Sequence, residues 1–140
     1  MDIHSAKAQE IDNLATFYRT TDYGGSVAPE DRVIYATEEE RIIAAGRLSE
    51  EEGVFVLRGM RVLKEYRGRG VGSAILDFLV SEGGGRDCYC IPYSYLRDFY
   101  AAKGFDEIRP SDAPKFLCDR IKNYRARTLD VILMRKKPIG

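Results

Sequence analysis

The sequence predicts an α/β (α+β) fold with a mixed, mostly antiparallel central sheet that is flanked by helices. Two runs, 32–37 and 41–48, have the composition of strands and are joined by an acidic turn, which predicts an antiparallel meander. The run 54–62 then leads through a glycine-rich loop into a helical stripe of apolar residues at 71–80 and a short strand-like run at 87–91. Strand, helix and strand in this tight order predict a parallel crossover.

Length, charge and cysteine content restrict the class of protein. A chain of 140 residues suits one domain, spanning 1–140, that can bury roughly two-thirds of the surface exposed by its unfolded chain. Its 22 basic and 22 acidic residues balance, so no overall field attracts nucleic acid or an anionic membrane. No apolar run approaches the length of a membrane span, and the first residues lack a signal pattern. Three irregularly spaced cysteines favour a reducing compartment, so we expect a cytoplasmic protein without structural disulfides.

Further elements are predicted along the rest of the chain from residue spacing and composition. They are an edge strand at 2–4, helices at 11–18, 95–103 and 111–124, and a closing strand at 130–135. The two acidic segments, 38–40 and 50–53, are expected as solvated hairpin tips that discourage edge-to-edge association.

The ends of two helices are predicted from capping residues. Ser94 is expected to cap the helix that Gly104 ends. Ser111 or Asp112 is expected to cap the following helix, with Pro114 in its first turn.

The loop before the helical stripe at 71–80 has the composition of an anion site. Glycines at 68, 70 and 72 remove the Cβ atoms that would keep a phosphate from the backbone, beside the positive end of a helix. Arg67 and Arg69 add charge-assisted donors, so the loop suits a polyphosphate. No Gly-Lys-Ser/Thr follows, which excludes a P-loop, and the glycine spacing fits a dinucleotide fingerprint badly.

Two motifs in register carry a family resemblance. Arg67-x-x-Gly70-x-Gly72, entered through Val62-x-x-Glu65-Tyr66, resembles the acyl-CoA signature of the GCN5-related N-acetyltransferase (GNAT) family. Phe99-Tyr100-x-x-x-Gly104-Phe105 resembles the second hallmark of that family, so the resemblance is strongest over 54–105. It implies two splayed parallel strands that form an acyl-CoA wedge. It also implies an N-acetyltransferase that moves an acetyl group from the cosubstrate acetyl-CoA to a primary amine by direct attack, without an acyl-enzyme.

The resemblance assigns roles to particular residues. The cofactor-binding residues would be Met60, Arg61, Val62, Arg67, Gly68, Arg69, Gly70, Val71, Gly72 and Ser73. Tyr100 would be the catalytic general acid that protonates the departing CoA thiolate. Tyr93 stands where the family often has an asparagine that contacts the pantetheine, and it joins Tyr23 and Arg58 as a candidate substrate-binding residue. We expect no metal site, since the chain has a single histidine and scattered thiols.

The general base and the acceptor stay open at this point. The central strand offers Arg58 and Arg61 and no carboxylate, so ordered water, a backbone carbonyl, Glu51 or Asp22 are the candidates to accept the amine proton. The two arginines favour an acceptor with a carboxylate or phosphate, or else they are only solvated. The acceptor is expected to be a small-molecule or peptide amine, with no nucleic-acid or membrane partner, and a homodimer is left open. The alternative function is a non-catalytic acyl-CoA-binding regulatory module.

Overall fold

A computed structural model of the chain describes residues 1–21, 23 and 25–138. Its strands are β1 (Asp2–Ser5), β2 (Arg32–Glu38), β3 (Arg41–Glu51), β4 (Val54–Val62), β5 (Cys88–Cys90), β6 (Asp106–Ile108) and β7 (Leu133–Lys136). Its helices are α1 (Ile11–Thr20), α2 (Val71–Glu82), α3 (Arg97–Ala101) and α4 (Lys115–Ala126). The strands form one sheet in the order β1-β2-β3-β4-β5-β7-β6. Within these described residues, the helices are too short or too polar to span a bilayer.

β2, β3 and β4 form the predicted antiparallel meander, and the edge strand β1 pairs antiparallel with β2. Both hairpin turns use left-handed backbone, at Glu39 and Glu40 in the first and at Glu52 and Gly53 in the second, as two-residue hairpins require. The prediction that 50–53 is entirely a solvated tip is wrong, because β3 continues through Glu51.

The predicted parallel crossover places β5 beside β4, and the two strands then separate. Their pairing is limited to Phe55 with Cys88 and Val56 with Tyr89. Beyond that point β4 stays with β3 as far as Val62, whereas the chain after β5 follows β7, where the amide of Ile132 donates to the carbonyl of Pro92. Because each strand keeps its outer partner, the splayed pair that the resemblance implies is present.

A β-bulge in β4 lies where the strands separate. The β3–β4 register shifts by one residue between Ala45 and Arg47, opposite Gly59, whose φ is 65°. A Cβ at position 59 would stand 3.1 Å from the hydroxyl of Tyr18. Glycine is therefore required here both for the left-handed backbone and for the close approach of α1.

The sheet is covered on both faces. On one face α2 and α3 pack on the largest apolar cluster, which includes Ile75, Leu79 and Tyr100. On the other face α1 packs through Leu14 and neighbouring residues, and α4 packs through residues that include Leu117. The alternation of side chains along β4 thus decides which helix layer each of its residues meets.

Local details differ from the sequence-based predictions. Ser94 does not cap a helix, because its hydroxyl donates to the carboxylate of Asp130 at 2.6 Å and a 3₁₀ turn intervenes before α3. Neither Ser111 nor Asp112 caps α4, which begins directly after Pro114. The short strand β6 was not predicted, since its exposed, charged residues lack the pattern of a strand.

Candidate active site

A cavity of about 390 Å³ occupies the gap between the separating strands. We call it the wedge cavity. β4 contributes residues 56–61, and the segment at and after β5 contributes residues 90–93. The remaining wall comes from Tyr23 and Gly25, from Leu96 and Tyr100, and from Arg120, Tyr124, Arg127, Leu129 and Val131. Both helix layers thus meet at this one opening in the sheet.

Tyr100 reaches the wedge cavity from α3. Its side chain is 5% exposed and packs edge-on against Phe99 and Phe105, with ring centroids 5.1 and 5.8 Å away. Burial raises the pKa of Tyr100 and nearby Cys90 raises it further, while the charge of Arg61 acts in the opposite direction. The phenol therefore stays protonated through the neutral range and is available as a proton donor.

Two thiols lie on β5, and one of them lines the wedge cavity. Burial raises the pKa of Cys88 to about 12 and that of Cys90 well above its ordinary value. Since the thiolate is the nucleophilic form, neither buried thiol is activated for attack. Cys90 contributes an apolar wall beside Tyr100.

The loop before α2 fits a phosphate group. Gly70 is the N-cap of α2 and the helix has no side-chain cap, so its first amides are not bonded to a capping side chain. Gly68 and Gly70 adopt φ of 77° and 80°, and a Cβ at either position would point into open space. Backbone donors at a helix N-terminus that is preceded by such an exposed glycine loop are suited to the diphosphate of a coenzyme A molecule.

The two loop arginines are held close to that helix terminus. The Nε of Arg67 donates to the carbonyl of Val62 at 3.1 Å, and the guanidinium of Arg69 lies 5.4 Å from the ring centre of Tyr66. Arg67 and Val62 also line a separate groove of about 850 Å³ beside α1. The loop itself is exposed and forms no part of either cavity, except for Arg67.

The expected cofactor-binding residues of β4 divide between two places. Met60 and Arg61 line the wedge cavity, whereas Val62 lies at the start of the groove beside α1. The Arg61 guanidinium donates to the carbonyl of Met60 at 2.9 Å and lies 5.2 Å from the ring centre of Tyr23. These contacts turn the Arg61 side chain toward the α1 face of the sheet.

All three candidate substrate-binding residues line the wedge cavity. Tyr93 is 41% exposed and stacks on Tyr95 with ring centroids 5.9 Å apart, which suits a position at the mouth. Arg58 is half-buried and Tyr23 packs tilted against Tyr18. The structure thus brings Tyr23, Arg58 and Tyr93 to the same opening as Tyr100.

Four arginines surround the wedge cavity: Arg58, Arg61, Arg120 and Arg127. Glu51 accepts hydrogen bonds from Arg120 at 2.6 and 3.4 Å and lies 3.8 Å from Arg58. Burial opposes ionisation of Glu51, but the hydrogen bonds and charge of Arg120, the charge of Arg58 and a hydrogen bond from Ser49 outweigh it and hold its pKa below the ordinary value. Glu51, named above as a candidate base, is therefore an ionised partner of two arginines.

A buried ion pair supports the wall formed by Tyr23. Arg47 donates to Asp31 at 2.7 Å and to the Tyr23 hydroxyl at 2.5 and 3.1 Å, and both charged side chains are almost fully buried. Burial disfavours the charge on Arg47, but its bonds to Tyr23 and Asp31 raise its pKa overall. The nearby hydroxyl of Tyr18 is buried and has no hydrogen-bond partner within the described part of the chain. Burial is also the main cause of the raised pKa of Tyr18.

Sequence reasoning missed the contribution of α4 to the wedge cavity. Arg120, Tyr124 and Arg127 recur at spacings of four and three residues, so a helical reading places them on one face. That spacing could have predicted that Arg120 and Arg127 lie on the same side of the helix. Arg47 and Asp31 gave no such signal because they meet only through the fold. Asp22, another candidate base, lies outside the described residues.

Solved structures with the same fold include several acetyltransferases. N-acetylglutamate synthase from Neisseria gonorrhoeae, complexed with coenzyme A and N-acetyl-glutamate, matches with a TM-score of 0.73 and 14% identity over 99% of this chain and 35% of that one. Rv2747 from Mycobacterium tuberculosis, solved with CoA, matches with a TM-score of 0.72 and 14% identity over 99% and 100%. The ribosomal-protein-S18-alanine N-acetyltransferase from Escherichia coli gives a TM-score of 0.69 and 14% identity over 99% and 96%. At these identities the likeness shows a shared fold.

Sequence comparison supplies the family. A search of curated proteins gave no match. The family model described as the acetyltransferase (GNAT) domain matches residues 29–107, which is more than half of the chain and includes the glycine loop and Tyr100. The chain therefore belongs to the GNAT acetyltransferase family.

Proposed function

We propose that this protein is an acetyl-CoA-dependent N-acetyltransferase that transfers the acetyl group directly to a primary amine. The observation that carries the proposal is Tyr100, a protonated phenol that lines the gap between two splayed strands. The glycine loop lies at the end of the same β4 strand and offers uncapped helix amides for the diphosphate. We call the part of the site that runs from this loop along β4 the donor side.

The proposed reaction passes through one tetrahedral intermediate. The neutral amine nitrogen attacks the thioester carbonyl carbon, and an amide of β4 near Met60 donates to the carbonyl oxygen as charge grows there. When the carbon–sulfur bond breaks, the thiolate takes the proton of Tyr100 and leaves as the thiol. The extra proton on nitrogen passes to water, from which Tyr100 is reprotonated. The buried thiols take no part, so no acyl-enzyme forms.

Water is the base that this site favours. No carboxylate lines the wedge cavity within the described residues, and Glu51 is bound to Arg58 and Arg120. An aliphatic amine with a pKa of about 10.4 is mostly protonated at neutral pH. We therefore expect the rate to rise with pH as more of the amine becomes neutral.

The class of acceptor is narrowed only to an amine. One similar structure is a synthase of an acetylated amino acid and another is an alanine N-acetyltransferase of a ribosomal protein. Small-molecule and peptide amines are thus both represented among proteins of this fold. We further propose that the protein acts in the cytoplasm as one domain, with the backbone of Met60, Arg61 and Val62 and the 67–73 loop holding acetyl-CoA.

The test is thiol release from acetyl-CoA in the presence of a pool of amines, together with calorimetry of coenzyme A. We expect Tyr100→Phe to bind coenzyme A normally and to lower kcat roughly 10²- to 10⁴-fold, because only the proton donor is removed. Tyr89→Phe is the matched control, since Tyr89 is also a buried tyrosine but lies outside the wedge cavity. Coenzyme A binding without thiol release by the wild-type protein would instead support the regulatory module.

A further inference from the structure

The charge on the walls of the wedge cavity bears on the unidentified acceptor. We infer that the acceptor is a small amine that also carries an anionic group, a carboxylate or a phosphate, and that Arg61 and Arg127 bind that group. This inference rests on the proposed function and names the substrate class of the same site. Three properties of the cavity carry it: the sign of its charge, the distribution of its internal ion pairs, and the face on which its arginines lie.

The sign of the charge is uniform. The ionisable lining residues, apart from tyrosines and Cys90, are Arg58, Arg61, Arg120 and Arg127, and no aspartate, glutamate or lysine among the described residues joins them. The chain as a whole is neutral, with 22 basic and 22 acidic residues. A cavity lined by cations in a protein without net charge is a local feature that attracts anions.

Ion pairs within the protein neutralise only part of the positive charge of the cavity arginines. Glu51 is shared by Arg120 and Arg58, which leaves one carboxylate for two guanidinium groups. Arg61 and Arg127 make no ion pair within the described part of the chain. Arg61 is half-buried and Arg127 is exposed, so one lies within the cavity wall and the other at its rim. A guanidinium offers a planar fork of donors that matches carboxylate and phosphate oxygens.

The arginines lie on the face of the sheet opposite α2. Leu57 packs into the cluster under α2, so its neighbour Arg58 points to the other face, where it meets Glu51. Arg61 contacts Tyr23, which packs with α1, and Arg120 and Arg127 come from α4 and its end. The phosphate loop belongs to the α2 face, so these arginines are placed for a second ligand and not for the diphosphate of coenzyme A. We call the part of the wedge cavity that is lined by these four arginines the acceptor side.

The size of the cavity favours a small acceptor. A volume of about 390 Å³ is near the lower end of the range for small-molecule sites. An acceptor with an amine and an anionic group could place the anion between Arg61 and Arg127 and the amine toward Tyr100. Its charge would also relieve the repulsion among the cavity arginines.

The first experiment compares acceptors that differ in one anionic group. Thiol release is measured for each L-amino acid and its primary amide, and for O-phosphoethanolamine and ethanolamine. We expect kcat/KM, expressed per neutral amine, to be about tenfold or more higher for the anionic member of at least one pair, since a hydrogen-bonded charge contact is worth that much. The pair that shows this preference identifies the anionic group as a carboxylate or a phosphate. Equal or better use of neutral amines across every pair would overturn the inference and leave the proposed function intact.

Substitution of single arginines tests which residue causes the preference for an anionic acceptor. Arg127→Ala should lower kcat/KM for the anionic acceptor about tenfold more than for its neutral partner. Arg109→Ala is the control, because Arg109 is an 82% exposed arginine outside the wedge cavity. An equal loss for both members of the pair would contradict a role in binding the anion.

A binding experiment separates the two hypotheses. Calorimetry is performed with coenzyme A present, using N-acetyl-amino acids and their amides, and N-acetyl-O-phosphoethanolamine and N-acetylethanolamine. If the protein releases no thiol with any amine, the proposed function fails, but tighter binding of an anion than of its neutral partner, weakened by Arg127→Ala, would still support the anion site. Indistinguishable binding, or no binding, of both members of every pair would overturn it.

Discussion

On the donor side of this molecule the groups offered to a ligand are backbone amides, whereas on the acceptor side they are arginine side chains. Gly68 and Gly70 at the donor side carry no Cβ, and their left-handed backbone exposes the first turn of α2. The acceptor side has the opposite construction, with long side chains from β4 and α4 that meet across the wedge cavity. The two proposed anion sites thus lie on the two faces of one sheet.

A site made of backbone amides and a site made of arginine side chains should differ in the substitutions that they tolerate. A backbone site depends on φ angles and on space, so a single Cβ can close it. A side-chain site depends on the balance of charge, so removing one arginine weakens it and removing its internal carboxylate strengthens it. If this comparison is correct, changes on one side should alter one ligand and spare the other.

The largest expected effect concerns the support of the acceptor side. Asp31→Ala leaves Arg47 buried without its carboxylate, and we expect the free energy of unfolding to fall by about 3–5 kcal/mol. The Tyr23 wall that Arg47 holds should loosen as well. Urea unfolding measures the loss. Coenzyme A affinity, measured at low temperature where the variant stays folded, should be nearly unchanged because the donor side is not touched.

Asp77→Ala is the matched control for that variant. Asp77 pairs with Lys103 at 2.8 Å, but its side chain is 61% exposed. Exposed pairs contribute roughly 0–1 kcal/mol, so this substitution should barely move the unfolding curve. Similar losses for Asp31→Ala and Asp77→Ala would show that the buried pair has no special part in stabilising the acceptor side.

A smaller effect is expected from a single methyl group on the donor side. Gly70→Ala introduces a Cβ at φ 80°, which strains the backbone and adds a methyl group at the N-terminus of α2, where the diphosphate is proposed to bind. Loss of one or two bonds to a charged phosphate should weaken coenzyme A about 10- to 100-fold by calorimetry, with the acceptor KM little changed.

The variant Gly53→Ala distinguishes the effect of backbone strain from that of a blocked phosphate site. Gly53 has a φ of 84°, and a Cβ there also meets open space, but it lies in the turn between β3 and β4. Both variants should lose similar stability, since the backbone conformations match. If Gly53→Ala weakens coenzyme A as much as Gly70→Ala does, strain and not a blocked phosphate site explains the loss.

The donor side could be predicted from sequence because its geometry demands a particular residue. Positive φ at positions 68 and 70 selects glycine, and the helix that follows must present apolar residues every three to four positions. The same reasoning predicts the meander and the crossover, whose strands bury alternate residues. It fails for β6, where three largely exposed residues pair with β7 and bury too little to leave a pattern.

The acceptor side was predictable only in part. Arg58 and Arg61 stood out on a strand, but whether they face solvent or a cavity depends on α4, which lies far along the chain. The role of Glu51 also could not be predicted from the sequence. Its acidic neighbours indicated a solvated turn, whereas the extra length of β3 brings it within reach of Arg120, 69 residues away. Residue spacing can place Arg120 and Arg127 on one helical face, but the pairing of the cavity arginines with Glu51 exists only in the assembled fold.

A last variant tests the charge balance of the cavity directly. Burial opposes ionisation of Glu51, but Arg120 and Arg58 lower its pKa, so its charge stabilises the fold above the unfolded-state pKa of about 4.3, and this is lost as pH falls through the folded-state pKa. We expect Glu51→Gln to cost about 1–3 kcal/mol at pH 7, with the difference from wild type vanishing in acid. The exposed neighbour Glu50, which pairs with Arg86, provides the control Glu50→Gln. The added positive charge should lower the KM of an anionic acceptor with kcat retained, whereas a collapse of kcat would identify Glu51 as the base and contradict its role as a partner of the arginines.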